Sequence, residues 1–406
     1  MIRSVLVSFS VALVFTATCW AAKPHHKHVA AAAPTASAAS TPAVSVPLVA
    51  GMAIPNPPQV DARAYIVADY QTGKVLAASN ATERMEPASL TKLMTAYIVF
   101  HELKLGKLKL EDMVTVSEHA WRSEGSRTFI ELGKPVSVND LILGMIVQSG
   151  NDATIALAER IAGSEDTFAQ LMNSTAKSLN MVGSHFENST GLPSPQHYTT
   201  ARDMSLLAIA MIRDFPQYYK YYSVREFEHN GIKQQNRNGL LEKDPSVDGL
   251  KTGHTDSAGF CLVTSAHREG MRLVSVVLGS SSMKARENAS AALLSYGFTF
   301  YDTKLIIKGG TALATTHVWK AANPTAELGI QDDLYMTLPR GQSDVKTTVE
   351  VLPKLIAPLG PDANVGTVHV FNGKDTLTNV ALRPLKPVAA GGWWRRLIDT
   401  IRLWFV

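Results

Sequence analysis

Three short motifs, far apart in the chain but fixed in order, constrain the fold of this sequence more than any other feature. They are Ser89-Leu90-Thr91-Lys92, Ser149-Gly150-Asn151 and Lys251-Thr252-Gly253. The first begins a stretch with apolar residues at helical spacing, the second directly precedes a helical pattern, and the third lies in a predicted strand. A fold that uses all three must bring a helix start, a loop and a strand to one place.

The residue types in these motifs suit nucleophilic catalysis. A serine hydroxyl is a poor nucleophile at neutral pH and needs a nearby base. If Ser89 opens a helix, Lys92 lies on the same face one turn later. The helix dipole and a second cation, Lys251, would both lower the pKa of Lys92, so that its amine could accept the Ser89 proton.

Each motif alone carries little weight, because similar patterns recur. Ser174 and Ser281 are also followed by a lysine three residues later, and further Ser-x-Asn patterns start at Ser137 and Ser178. Those serines are expected to be solvated or capping residues. Lys-Thr-Gly occurs once, and the ordered combination of all three motifs predicts an active site.

Hydrophobic periodicity assigns the other elements of residues 59–300. Two apolar runs joined by a glycine-containing turn predict a β-hairpin, and Thr200 with Asp203 predicts a capping box. The predicted strands are 64–68, 74–78, 250–252, 260–266 and 272–278, and the predicted helices are 89–103, 138–147, 152–161, 204–212 and 283–294. From residue 302 to about 382, short β-like runs punctuated by Pro and Gly predict a small all-β domain.

The N-terminal residues predict export. Residues 1–22 combine Arg3 with an apolar stretch and small residues, as in a signal peptide, and an uncleaved anchor is the alternative. Residues 23–58 are rich in Ala, Pro and Ser and predict a disordered linker. A metal site at the histidines of this linker is disfavoured, because such tracts usually stay solvated.

The charge and the cysteine content bear on possible partners and on disulfide bonds. A formal net charge of +4 over 406 residues, without a Lys/Arg-rich block, argues against nucleic acid as a partner. Signal cleavage would remove Cys19 and leave Cys261 without an intrachain disulfide partner. Cys261 lies in an apolar run and is predicted to be a buried strand residue rather than a nucleophile.

Longer stretches around the motifs resemble the low-molecular-mass penicillin-binding proteins. They are Pro87 to Thr95, Gln148 to Ala153 and Asp248 to Thr255. Within that family the chain is similar to the D-Ala-D-Ala carboxypeptidases that have a C-terminal β domain and a membrane-surface tail. The likeness extends from about residue 58 to residue 406.

The resemblance implies an α+β fold with a transpeptidase domain of the penicillin-binding and β-lactamase-like kind, an antiparallel sheet flanked by helices. The implied order is a catalytic domain at 59–300, a β domain at 301–385, and a hinge with an amphipathic helix at 386–406. It also implies the periplasm as location, a role in cell-wall biogenesis and cell shape, peptidoglycan pentapeptide as substrate, β-lactams as covalent inhibitors, and no metal or other cofactor.

Catalytic roles follow from the same resemblance. Ser89 would attack the carbonyl of the penultimate D-Ala and release the terminal D-Ala, with Lys92 as general base. Ser149 would pass the proton to the leaving amine, and Asn151 would hold both Lys92 and the substrate amide. Water would then hydrolyse the acyl-enzyme.

The resemblance also implies the substrate-binding residues. Lys251 and Thr252 would bind the terminal carboxylate, and the backbone N–H groups of Ser89 and His254 would form an oxyanion hole. The His254 side chain is a candidate for influencing deacylation, Arg286 for a second carboxylate clamp and Arg237 for lining the cleft. The predicted substrate-binding set is Asn151, Lys251, Thr252, Gly253, His254, Arg286 and Arg237.

The chain ends in a predicted amphipathic helix, with most of its aromatic and aliphatic side chains between 393 and 405 on one side. Arg395, Arg396, Asp399 and Arg402 fall on the other side. The segment is too short and too charged to span a bilayer. Arginines opposite aromatics suit an interfacial helix lying on anionic lipid, and packing against its own domain or a partner is the alternative. The resemblance implies that this lipid surface is the outer face of the inner membrane.

Several rival functions share these motifs. A class A β-lactamase would need a Glu-x-x-Leu-Asn element after Ser149, and the nearest candidate reads Phe186-Glu187-Asn188-Ser189-Thr190. A β-lactam-binding sensor without turnover would need a transmembrane signalling segment. A D,D-endopeptidase or transpeptidase would use the same residues, and that alternative stays open.

Overall fold

The computed structural model describes residues 54–342 and 344–405. The predicted signal peptide, and nearly all of the predicted linker, lie outside the described residues. Within these two ranges, no helix is both long and apolar enough to cross a membrane.

Residues 54–300 form a domain in which helices flank a sheet. Its elements in chain order are β1 (Ala64–Asp69), β2 (Val75–Ser79), α1 (Lys92–Lys104), β3 (Met113–Thr115), α2 (Glu118–Trp121), β4 (Pro135–Ser137), α3 (Val138–Leu143), α4 (Asn151–Ala162), α5 (Glu165–Ser178), α6 (Ala201–Asp214), α7 (Pro216–Tyr219), β5 (Glu226–His229), β6 (Ile232–Gln235), α8 (Leu240–Lys243), β7 (Val247–Thr255), β8 (Gly259–Arg268), β9 (Met271–Ser280) and α9 (Met283–Phe300). A 3-10 turn, Ala88–Thr91, leads into α1, and a π-helical turn, Gly144–Gln148, follows α3.

The central sheet has the strand order β2-β1-β9-β8-β7, and every neighbouring pair is antiparallel. One apolar core contains α1, α4 and α6 against one face of the sheet, and a second core contains α9 against the other face. The strand order makes β7 one of the two edge strands, and it packs beside the 3-10 turn that carries Ser89.

The structure differs from the sequence-based prediction at the start of α6 and at α5. The Thr200 hydroxyl accepts a bond from the Asp203 N–H, but the Asp203 carboxylate accepts from Gly183 N–H and the Ser184 hydroxyl, so the predicted capping box is only half formed. Helix α5 was not predicted at all. Its signals were present, because Ser164 caps it and Glu165 opens the first turn.

Residues 301–384 form an all-β domain. Its strands are β10 (Tyr301–Ile307), β11 (Ala314–Trp319), β12 (Thr325–Gly329), β13 (Leu334–Pro339), β14 (Val345–Val351), β15 (Leu355–Ile356), β16 (Gly366–Asn372) and β17 (Asp375–Pro384). Six of them form a sheet in the order β14-β16-β17-β12-β11-β15 around its own apolar core, and β10 pairs with β13. The predicted α+β fold with a second, all-β domain is confirmed.

A cluster of hydroxyl groups joins the two domains. The Thr337 hydroxyl lies 2.6 Å from that of Thr72 and 2.9 Å from that of Thr303, and Thr303 donates to the Asp69 carboxylate. The Lys74 ammonium donates to the Thr337 carbonyl. These bonds fix the β1–β2 hairpin against the β domain.

Helix α10 (Trp393–Arg402) is the last helix of the described chain. Its apolar side chains are mostly exposed to solvent, including Trp394, Leu397 and Ile401. The predicted amphipathic helix is thus present, with its apolar face outward.

Candidate active site

Ser89 lies in the 3-10 turn before α1, where its backbone neighbour Ala88 adopts a left-handed conformation with φ of 47°. Few residues other than glycine adopt this conformation, so the chain is bent just before the serine. The sequence placed Ser89 at the start of the α-helix, but α1 begins at Lys92 because of this bend. Ser89 and Lys92 nevertheless lie next to each other, as the sequence predicts, because Lys92 Nζ donates a hydrogen bond to Ser89 Oγ over 3.0 Å.

Lys92 is almost completely buried and is held by three acceptors. Besides Ser89 Oγ, its Nζ donates to Asn151 Oδ1 over 2.6 Å and to the Thr190 carbonyl over 2.7 Å. Burial, and secondly the positive charge of Arg237, lower the pKa of Lys92 to about 7. The predicted direction is thus present, but its causes are burial and Arg237 rather than Lys251 and the helix dipole.

The second motif forms the opposite wall. Ser149, at φ of 68°, ends the π-helical turn, and its buried hydroxyl has no hydrogen-bond partner among the described protein atoms. Asn151 opens α4 and also donates from Nδ2 to the Glu124 carbonyl. The Asp152 carboxylate accepts from three successive N–H groups starting at Thr128, which fixes the loop beside Asn151.

The third motif lies on β7 directly beside the serine turn. Lys251 and Thr252 are buried there. A Cβ on Gly253 would lie 3.0 Å from the Pro87 carbonyl oxygen, tighter than ordinary packing, so glycine lets the strand approach Ser89 closely. Burial first, and then the charge of Lys92, hold the pKa of Lys251 well below its usual value. Two buried lysines with lowered pKa values thus belong to one site.

The three weaker candidates differ in position. Arg286 is buried, and its Nη1 donates to the Gly253 and Cys261 carbonyls, so part of its bonding capacity supports β7 and β8 from within. The exposed His254 ring packs on Phe260 with centroids 4.0 Å apart. Arg237 is exposed on the loop after β6 and acts on both lysines through its charge.

Sequence reasoning missed the loop that follows Phe186. Its Thr190 carbonyl binds Lys92, and Gly191, at φ of 86°, lies so close to Ala88 that a Cβ would be 1.8 Å from the Ala88 carbonyl oxygen. The Glu165 carboxylate holds this loop through the N–H and hydroxyl of Ser189. No local pattern reveals these contacts, although a glycine in a polar loop was a usable signal.

Two further predictions from the sequence concern Cys261 and Glu187. Cys261 is fully buried in β8, as predicted, and burial raises the pKa of its thiol to about 11. Glu187, which the β-lactamase alternative would require as a base, instead accepts from the Ser194 hydroxyl and the Gln196 N–H. Its carboxylate is therefore engaged away from Lys92.

Comparison with known proteins identifies the family. Residues 52–282 match the family model described as D-alanyl-D-alanine carboxypeptidase, Peptidase S11. The chain belongs to this family. Residues 301–389 match the model of the Penicillin-binding protein 5 C-terminal domain. The resemblance inferred from the motifs is confirmed, and the chain is a serine-type D-Ala-D-Ala carboxypeptidase.

Relatives of this carboxypeptidase cover most of its length. D-alanyl-D-alanine carboxypeptidase DacA of Escherichia coli K12 is 43% identical over 361 residues, which is 87% of this chain and 90% of the relative. DacC of the same strain is 44% identical over 86% of this chain and 89% of its own.

Solved structures of the family agree in fold. Penicillin binding protein 5 from Haemophilus influenzae superposes with a TM-score of 0.79 at 40% identity, covering 82% of this chain and 99% of its own. Penicillin-Binding Protein D2 from Listeria monocytogenes, in the ampicillin-bound form, gives 0.55 at 31% identity over 59% of this chain and all of its own.

Proposed function

We propose that this carboxypeptidase removes the terminal D-Ala from peptidoglycan stem pentapeptides through an acyl-enzyme on Ser89. The observation that carries this proposal is the short contact between Lys92 Nζ and Ser89 Oγ in a buried site where the pKa of Lys92 falls to about 7. At that pKa, about half of the Lys92 amines are neutral at pH 7 and can accept a proton.

In the acylation step, Lys92 accepts the Ser89 proton as the Ser89 oxygen bonds to the carbonyl carbon of the penultimate D-Ala. The negative oxygen that forms is stabilised by the backbone N–H groups of Ser89 and His254. Ser149 then relays the proton to the nitrogen of the leaving D-Ala, the C–N bond breaks, and the ester on Ser89 remains. Lys92, now neutral again, accepts a proton from water as the water oxygen bonds to the ester carbonyl carbon. The C–O bond to Ser89 then breaks, Lys92 returns this proton to the Ser89 oxygen, and the shortened peptide leaves as a carboxylic acid.

Substrate binding follows from the charges at the edge strand. A peptide that ends in a carboxylate suits Lys251 and the Thr252 hydroxyl, because a bound carboxylate favours the protonated form of the buried Lys251. Arg286 and Arg237 add positive charge close enough to act on Lys251. Asn151 would hold the substrate amide with the N–H that Glu124 does not engage.

β-Lactams would acylate the same serine, because their strained amide presents a carbonyl and a carboxylate in a similar arrangement. The ampicillin-bound relative from Listeria supports this reading. Slow hydrolysis of the resulting acyl-enzyme would then leave the drug bound to Ser89.

The test compares Ser89→Ala with Ser174→Ala, since Ser174 is an exposed serine that also precedes a lysine by three residues. Ser89→Ala should abolish both D-Ala release from a peptide ending in D-Ala-D-Ala and labelling by a fluorescent penicillin. Ser174→Ala should retain both. A Ser89→Ala protein that still takes the label would refute the proposed nucleophile.

The endopeptidase alternative differs only in the bond that is cut. Digestion of intact peptidoglycan should therefore release free D-Ala and leave cross-links in place. Loss of cross-linked products without D-Ala release would favour the endopeptidase instead.

We also propose that the protein works in the periplasm, attached to the outer face of the inner membrane through α10. The helix presents exposed Trp, Leu and Ile side chains together with Arg395, Arg396 and Arg402. This combination suits an interfacial helix on anionic lipid. Removing residues 393–406 should give a soluble protein with unchanged turnover, and loss of turnover would show that the tail is part of the catalytic fold.

A further inference from the structure

The polar side of α10 contains one buried charged residue. Asp399 is only 3% exposed, although the residues on either side of it, Ile398 and Thr400, are at least partly exposed. Its Oδ2 accepts a hydrogen bond of 2.7 Å from the backbone N–H of Lys320, the residue that follows β11. The helix is therefore attached to the β domain through its polar side, which leaves the apolar side outward.

Local helix energetics do not explain this aspartate. Asp399 lies in the last turn of α10, where a negative charge opposes the helix dipole. A buried carboxylate also loses hydration, and no cation lies within 4.0 Å of it among the described residues. The compensating interaction is the bond to Lys320, whose N–H lies beyond the strand and would otherwise lack a backbone partner.

The segment before the helix is fixed to the same turn. Gly391 N–H donates to the Lys320 carbonyl over 2.7 Å, and Ala322 N–H donates to the Ala389 carbonyl. A Cβ on Gly391 would lie 2.9 Å from the Ala321 carbonyl oxygen. Both backbone groups of Lys320 thus bind the tail, one before the helix and one within it.

We infer that α10 and the β domain bind the membrane as one rigid unit, with Asp399 as the positioning residue that keeps the apolar face of the helix directed outward. This inference rests on the proposed membrane attachment. A helix fixed at both ends of its docking contact cannot act as a flexible tether. The catalytic domain, joined to the β domain by the Thr337 cluster, is then held at a set height and orientation above the lipid surface.

The experiment uses the full chain with Asp399→Ala, Asp399→Asn and, as a matched control, Asp332→Ala. Asp332 is exposed and its side chain forms no hydrogen bond in the described structure. Hydrogen exchange at the Lys320 amide reports the contact itself. Spin labels at Thr348→Cys and Thr400→Cys, measured in solution and on phosphatidylethanolamine–phosphatidylglycerol vesicles, report the position of the helix relative to the β domain.

Asp399→Ala should raise the exchange rate of the Lys320 amide by roughly ten- to a hundredfold, the equivalent of one hydrogen bond to a charged group. The substitution should also broaden the distribution of distances between the spin labels at positions 348 and 400. Vesicle binding should change little, because the apolar face of α10 is intact. Asp399→Asn retains an acceptor and should stay near wild type, as should Asp332→Ala. If Asp399→Ala keeps the slow Lys320 amide exchange and the narrow distribution of spin-label distances of the wild type, the inference is overturned. Failure of the wild type to bind vesicles would instead remove the proposed attachment, and the solution measurements would still test the contact.

Discussion

The Oδ1 of Asn151 accepts a 2.6 Å hydrogen bond from Lys92 Nζ, which links the start of α4 to the start of α1 across the catalytic cleft. Through this bond the second motif sets the position of the amine in the first. The position of the Lys92 amine therefore depends on a residue 59 positions away in the chain. The pKa of that amine and its contact with Asn151 give the first two predictions.

The ratio kcat/KM for D-Ala release should rise with pH through an apparent pKa of about 7. Below that pH, Lys92 is protonated and cannot accept the Ser89 proton, so the rate should fall about tenfold per pH unit. Above it, the rate should reach a plateau. Initial rates of D-Ala release from a peptide ending in D-Ala-D-Ala, measured between pH 5 and 9, check this. A value of kcat/KM that does not change across that range would contradict the role of Lys92 as general base.

Asn151→Asp should move this acidic limb to higher pH by about 1–3 units, because a carboxylate beside an ammonium favours its charged form. At pH 7 the variant should be slower, with activity partly recovered at pH 9. Asn323→Asp makes the same charge change at an exposed position in the β domain and should leave the profile unchanged. If the apparent pKa of kcat/KM is the same in Asn151→Asp as in the wild type, that pKa does not belong to Lys92.

Gly191→Ala should impair both stability and acylation. The added methyl group would collide with the Ala88 carbonyl oxygen and displace either the loop that binds Lys92 or the turn that carries Ser89. Gly163→Ala is the matched control, since Gly163 has a similar φ of 79° with nothing within 4 Å. Thermal unfolding should show Gly191→Ala less stable than the control by roughly 1–3 kcal/mol, and equal melting temperatures would be inconsistent with the close contact.

Thr337→Val should weaken the junction between the two domains without affecting catalysis. The substitution keeps the shape but removes the hydroxyl bonds to Thr72 and Thr303, which should cost about 1–3 kcal/mol. Thr348→Val, on an exposed strand position, should be nearly neutral. Urea unfolding and D-Ala release measured on both variants separate the effects, and a loss of turnover in Thr337→Val alone would reveal coupling between the domains.

Much of this protein could be read from local patterns. The β1–β2 hairpin, the strands around Lys251 and the buried position of Cys261 follow from residue periodicity, because each element is stabilised by the alternation of its own apolar side chains. The ordered motifs also sufficed to indicate the family. Boundaries were less accurate where tertiary contacts bend the backbone, as at Ala88.

The sequence by itself determined the chemical groups: a serine with a lysine one turn away, a Ser-x-Asn loop, a cationic strand and an amphipathic tail. Only the tertiary structure decided how those groups behave. The low pKa of Lys92 arises from burial and from Arg237, the third acceptor for its amine is a backbone carbonyl at Thr190, and the orientation of α10 depends on a bond from Asp399 to Lys320. The burial of a charged side chain and backbone contacts between distant segments cannot be read from residue periodicity, because they depend on how completed elements pack.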